Sequence, residues 1–143
     1  MANANIVSYT DQPGLGSGTP ITFDTATQLN GINFDSFGSP TTVHIVTSGI
    51  YNIEFIASCR NNTGSTFVHR VGLYVNGINV LSSNYGNESN SGGEIRLVPG
   101  STQRGLNSGD VLTLVLESGG DLAVVGGFAP PDVVASLKIT QIS

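Results

Sequence analysis

Hydrophobic positions along this chain come in short runs separated by clusters of Gly, Asn, Ser and Pro, at the regular spacing expected of a two-sheet or barrel domain. The runs predict strands at residues 6–9, 21–23, 31–34, 42–46, 49–59, 66–75, 78–81, 94–98, 110–117, 122–125 and 133–142, about ten in all. Turn chemistry divides them: Thr47-Ser48-Gly49, Asn76-Gly77, Ser91-Gly92-Gly93 and Asn107-Ser108-Gly109-Asp110 each offer Gly or Asn where a positive φ is needed. Asn76-Gly77, between Leu73 and Val75 on one side and Ile78 and Val80 on the other, reads as a two-residue hairpin turn. Residues 1–20, with Gly- and Pro-rich breaks over 10–20, are expected to form an N-terminal arm or loop, and residues 21–143 one domain. Asn-, Ser-, Thr- and Gly-rich spacing without helical periodicity makes the fold class all-β.

The strands differ in how many faces they need dry. Phe67, Val71, Leu73 and Val75 share one face while Arg70, Gly72 and Asn76 fall on the other, which suits a sheet with one wet side. Val111 to Leu116, by contrast, is apolar on both faces. Residues 50–56 are nearly so, with Tyr51, Ile53 and Phe55 on one side and Ile50, Asn52 and Ile56 on the other. A lone sandwich covers one face of each sheet, so the surplus apolar sides predict a partner subunit.

Composition narrows the functional classes. Charged residues are only 10% of the chain, and its five Lys and Arg (Arg60, Arg70, Arg96, Arg104 and Lys138) never form a run; with a net charge of −5, this argues against nucleic-acid binding. No apolar stretch is long enough to span a membrane, and residues 1–20 lack the basic start and greasy centre of a signal peptide. The single Cys59 excludes an internal disulfide and, in its apolar run, reads as a buried inert thiol.

Candidate chemistry is sparse. His44 and His69 each fall in an expected strand, and the Gly-x-Ser-x-Gly elbow of a hydrolase is absent, so no catalytic residue is assigned and the chain is expected not to be an enzyme. Two histidines and one cysteine do not make a zinc site. Glu88, Glu94, Asp121 and Asp132 lack the regular spacing of a calcium loop and read as solvated loop acids, so no metal or cofactor is expected. Gly14-Leu15-Gly16-Ser17-Gly18 does not meet the dinucleotide pattern and reads as linker. Asn61-Asn62-Thr63 and Asn87-Glu88-Ser89 match the glycosylation acceptor pattern, which arises by chance in so Asn- and Ser-rich a chain. The stretch 82–93 has the composition both of an adaptable recognition loop and of any exposed loop.

Three motifs carry a family resemblance. Gly49-Ile50-Tyr51-Asn52-Ile53-Glu54-Phe55 resembles the Gly-x-Tyr-x-Phe-x-aromatic centre of the complement C1q and tumour-necrosis-factor superfamily, with Ile53 for the middle Phe. Leu106 to Val111 is similar to that family's Leu-x-x-Gly-Asp-x-Val turn, and Arg70 to Val80 to its Asn-Gly hairpin. Val43 departs from a position where the family often has an aromatic, and the closing strand lacks the usual Phe. The resemblance, over about residues 21–142, implies a ten-stranded jelly roll of two sheets assembled as a homotrimer, in the manner of bacterial and bacteriophage members. It would place residues 49–59, 110–117 and 133–142 in one inner sheet facing the three-fold axis, making Ile50, Asn52, Ile56, Val111, Thr113 and Val115 the expected trimer interface.

Two functions follow as expectations. In the first, the chain is a structural component of a bacteriophage virion, a capsid decoration, cement or fibre-tip protein docked on a capsid or tail protein through its N-terminal arm. In the second, it is a receptor- or glycan-binding head on a bacterial cell or spore surface, using outer loops that include Asn84, Tyr85, Asn87 and Phe128.

Overall fold

The computed structural model describes residues 1–123 and 132–143. The chain opens with β1 (Asn3–Ser8), passes through the short β2 (Gln12–Leu15) and β3 (Thr19–Pro20), and runs on through β4 (Thr25–Asn30), β5 (Ile32–Asp35) and β6 (Ser39–Ile45). The long β7 (Gly49–Arg60) follows, then β8 (Phe67–Val75), β9 (Ile78–Asn79), a 3-10 turn (Leu81–Ser83) and β10 (Tyr85–Ser89). After these come β11 (Ile95–Leu106), β12 (Val111–Leu116), β13 (Gly120–Leu122) and β14 (Ala135–Gln141).

These strands form two seven-stranded sheets, all of whose pairings are antiparallel. Without the short β2 and β13 in sheet A and β3 and β9 in sheet B, five principal strands remain in each: β4-β1-β14-β7-β11 and β5-β6-β12-β8-β10. This is the expected ten-stranded jelly roll. Alternation along the strands builds its core. Tyr51, Ile53, Phe55, Ala57 and Cys59 of β7 and Leu137 and Ile139 of β14 face Val71, Leu73 and Val75 of β8 and Leu112, Leu114 and Leu116 of β12. All are buried, and fully burying one such large aliphatic side chain is worth about 1.5–3 kcal/mol. The Tyr51 hydroxyl, buried with its ring, donates to the Thr47 carbonyl at 2.6 Å. The Asn76-Gly77 turn is as expected, with both residues at positive φ (53° and 79°) joining β8 to β9.

Three expectations need correction. Residues 110–117 do not join residues 49–59 in one sheet: β12 pairs with β8 and β6 in sheet B, whereas β7 pairs with β14 and β11 in sheet A. The outward positions of β12 are covered unevenly within the chain: Val115 is only 5% exposed, whereas Val111 and Thr113 are half-buried. β12 is a central strand, flanked by β8 on one side and by β6 and Thr19–Pro20 on the other. Secondly, residues 1–20 are not a free arm. β1 lies between β14 and β4, and β2 and β3 pair with β13 and β12. Thirdly, residues 85–89 are a strand, not a loop, and the run at residues 94–98 continues to Leu106.

Candidate functional site

The face of sheet A turned away from the core is built by the residues that alternate with the buried ones. Ile50, Asn52, Glu54 and Ile56 of β7 are in register with Gly105, Gln103, Ser101 and Pro99 of β11. On the other side of β7, Asn52, Glu54 and Ile56 are in register with Thr140, Lys138 and Ser136 of β14. Ile50 is 41% and Leu97 52% exposed. The centre of this face holds two charged groups of opposite sign, Glu54 and Lys138, directly across from one another, among neutral and apolar neighbours. An open cleft lies over it, lined by Asn5, Glu54, Ile56, Tyr85, Pro99, Ser101, Ser136 and Lys138 among others.

The six expected interface residues are therefore split. Ile50, Asn52 and Ile56 share the outward face of sheet A, while Val111, Thr113 and Val115 alternate with the core leucines of β12 and face outward from sheet B. The two sets lie on opposite sides of the sandwich, so a single interface does not gather them. Of the residues that complete the first set, Ser136 and Lys138 fall in the segment that the family resemblance places beside residues 49–59, whereas Leu97, Pro99, Ser101 and Gln103 carry no such signal. Only the strand order brings them beside β7.

The residues expected in a recognition loop are engaged inside the domain. The Tyr85 hydroxyl donates to the Ser101 carbonyl at 2.9 Å, and the Asn87 amide donates to the Leu97 carbonyl at 3.1 Å. Both acceptors lie on β11, whose other side pairs with β7, so two side chains of β10 cap the free edge of sheet A. Between them Pro99 has no N–H to offer. Close approach here depends on Gly100: a Cβ at this position would run into the rings of Phe55 and Tyr85, which pack edge to face with centroids 6.0 Å apart. Asn84 pairs reciprocally with Asn79, by amide contacts of 2.8 and 2.9 Å, above Gly72. Phe128 lies outside the described residues.

The histidines have different fates. His44 is exposed on β6. His69 is wholly buried on β8, with Nε2 2.9 Å from the Ser89 hydroxyl and Nδ1 lacking any partner among the described residues. Ser89 is buried as well, and among the described residues no carboxylate orients the imidazole, so there the pair lacks the acid and the access that a hydrolytic triad needs. Burial, and secondarily the Arg96 guanidinium, lower the His69 pKa below its ordinary value. Burial pushes the Cys59 thiol up to about 12, which makes it a poor nucleophile.

The remaining candidates are occupied by local contacts. Asn61 is buried, its amide nitrogen donating to the Ser65 carbonyl and its oxygen accepting from the Thr63 amide and hydroxyl, so the acceptor nitrogen of that glycosylation motif is spoken for. Among the described residues no three His, Cys, Asp or Glu gather as a metal site. Asp121 accepts from the Gly14 amide and from Asn62, and Glu94 pairs with Arg96 and Ser91. Among the described residues no helix is long and apolar enough to cross a membrane.

No protein-family model matches the chain, and no curated protein matches it in sequence. Solved structures do match. The globular domain of zebrafish complement 1qA is similar over 100% of this chain and 98% of its own, at 15% identity and a TM-score of 0.67. Murine APRIL at pH 5.0 is similar over 99% and 98%, at 12% identity and a TM-score of 0.68. With identity so low the likeness lies in the backbone, and the fold of this chain is the C1q/TNF-like jelly roll.

Proposed function

We propose that this chain is a non-enzymatic assembly domain that works as a homotrimer, with the outward face of sheet A turned toward the three-fold axis. One observation carries the reading: the centre of that face sets two opposed charges, Glu54 and Lys138, across from each other in register, and surrounds them with Ile50, Ile56, Leu97, Pro99 and short neutral polar groups. Such a surface can be dried without stranding an unbalanced charge, which is the costly event at a buried interface. The likeness to the C1q and APRIL structures supports the same reading, because trimeric assembly is what resemblance to that superfamily implies.

The setting we propose is a bacteriophage virion, with the trimer as a decoration, cement or fibre-tip component. Supporting it are the 10% charged composition and the reliance on Asn, Ser, Thr and Gly for solubility, which suit a domain spent on packing against other subunits. Residues 1–8 are woven into sheet A, so docking on a capsid or tail protein would use an outer surface instead of a free arm. A glycan- or receptor-binding role would use Asn84, Tyr85 and Asn87 with side chains that also hydrogen-bond within the domain.

The test of assembly is Ile56→Asp, which places three carboxylates around the proposed axis. The variant should stay folded and run as a monomer where the parent runs as a trimer. An unchanged mass would refute the use of this face. The setting is tested by mass spectrometry of purified virions from a host that carries the gene: the chain should co-purify in a stoichiometry that is a multiple of three, and its absence from particles would refute the virion role.

A further inference from the structure

The sandwich has one sealed side and one open side. On the sealed side, Tyr85, Asn87 and Pro99 leave little of β11 free to pair. On the open side, β4 is the edge of sheet A and β5 the edge of sheet B, one run of chain bent between the sheets at Gly31, where φ is +67°.

The main-chain groups along this run can be placed from the pairing of their neighbours. Ile45 donates its N–H to the Asp110 carbonyl and accepts from Gly109, so both its groups face away from β5. Its register partner Ile32 therefore sits in a non-bonded pair and turns its own N–H and C=O outward, as does Phe34 two residues on. In β1, the carbonyls of Ala2 and Ser8 bond toward β14 and its continuation, and that of Val7 bonds toward Asp24. The odd-numbered residues Asn3 and Asn5 thus serve Asn30 and Gln28, and Leu29 between these turns its N–H and C=O outward. The nearby side chains reach back to the domain instead of across the edge: Thr27 donates to the Asn5 carbonyl and Asn30 to that of Met1. Among the described residues no side chain caps Leu29, Ile32 or Phe34 as Tyr85 and Asn87 cap β11.

Beside this bare edge lies a groove lined by Leu29, Gly31, Asn33, Phe34, Asp35 and His44, with the core residue Ile32 beneath it. Leu29 is 42% exposed, and Phe37 on the following turn is 98% exposed. Asp35 is the carboxylate of this groove, and no Lys or Arg is among its lining residues. The Asp35 carboxylate accepts from the Phe37 N–H at 3.0 Å, which fixes it at the groove's end. The backbone amides of Gly38 and Phe37 also lower its pKa, so it is ionised throughout the neutral range.

We propose that this edge takes an extended, basic peptide segment of another protein, paired along β5 and the end of β4 by main-chain hydrogen bonds with one apolar side chain seated in the groove. Strand addition of this kind draws affinity from the backbone and specificity from alternate side chains. Charge selects the occupant: a second copy offering the same strands would bring only neutral and acidic groups, whereas a strand with Lys or Arg beside its apolar anchor meets Asp35. The proposal stands independently of the trimer, which uses the face of sheet A and not this edge.

The probe is a displayed library of random ten-residue peptides panned on the full chain, followed by amide hydrogen exchange with the best synthetic peptide. Enriched peptides should combine Lys or Arg with β-branched or aromatic residues, and binding them should slow exchange of the Leu29, Ile32 and Phe34 amides. Leu29→Pro removes an outward N–H that no ladder uses and should weaken binding at least tenfold. Leu29→Lys, at an exposed position that does not threaten folding, should do the same by repelling a cationic strand. Peptides that bind both variants as tightly as the parent, enrichment of neutral or acidic sequences, or protection confined to other strands would each overturn the proposal. So would protection of these amides in the peptide-free chain that is lost on dilution, which would mean that a second copy covers the edge.

Discussion

Two aspartate substitutions, Val115→Asp and Ile56→Asp, should behave in opposite ways although both replace an outward-facing aliphatic residue. Val115 is 5% exposed within a single chain, in the middle of sheet B, so its carboxylate has little access to water, and Arg70 on that side of β8 already pairs with Glu117. Placing an unpaired charge there costs on the order of 3–5 kcal/mol. Against a total stability of about 5–15 kcal/mol for a domain, and at about 2–4 °C per kcal/mol for a chain of this size, melting should fall by roughly 10 °C or folding should fail. Ile56 is half-buried on sheet A in a single chain, so its carboxylate keeps access to water and should cost the fold about 1 kcal/mol or less. Its penalty should appear in assembly, where three like charges would approach the axis. Circular-dichroism melting of each variant, paired with sedimentation velocity, separates the two effects. A Val115→Asp chain that melts like its parent would refute the assignment of β12 as a central strand with its own cover. An Ile56→Asp chain that loses its fold would refute the separation of folding from assembly.

Other outcomes follow from the same geometry. Tyr85→Phe and Asn87→Ala each remove one cap from β11 and should cost about 0.5–1.5 kcal/mol by urea titration, the double variant also aggregating faster by light scattering as the edge is bared. Gly100→Ala should cost about 1–3 kcal/mol and perturb the Tyr85 ring resonances, because the methyl group displaces Phe55 or Tyr85. His69 has a lowered pKa when folded, so the unfolded chain takes up its proton first. Its contribution is fully present above about pH 6.5 and is lost as pH falls toward the folded value, and a His69→Gln variant should show a flatter stability profile between pH 7 and 5. Cys59 should stay unmodified by a thiol reagent at pH 8 in the native chain and react at once in denaturant.

How much of this could be read from the sequence depended on whether burial left a mark on residue type. β7, β8 and β12 are dense in Val, Ile, Leu and aromatic residues because one face lies in the core, and they were legible to within a residue or two. β4, Thr-Ala-Thr-Gln-Leu-Asn, is an exposed edge strand and has no alternation to betray it. β10 looked like a loop because its inward positions, Tyr85, Asn87 and Ser89, are polar groups that cap β11 and meet His69 instead of filling the core. The second half of β11 was hidden by Pro99, Gly100 and Gly105, residues that the edge position tolerates. The apolar outward positions of β12 were ambiguous, since a partner subunit and partial cover within the chain leave the same signature. The candidate face was half legible for a similar reason. Ile50, Asn52 and Ile56 could be named from alternation along one strand, and the family resemblance put the segment of Ser136 and Lys138 beside it, but Leu97 comes there only through strand order, which residue pattern does not encode.

The most direct test of the central claim is the mass of the purified chain by sedimentation equilibrium, followed down to submicromolar concentration. Association through the outward face of sheet A predicts a single species of three chains that persists in the micromolar range and is abolished by Ile56→Asp. A stable monomer across the whole range would contradict it.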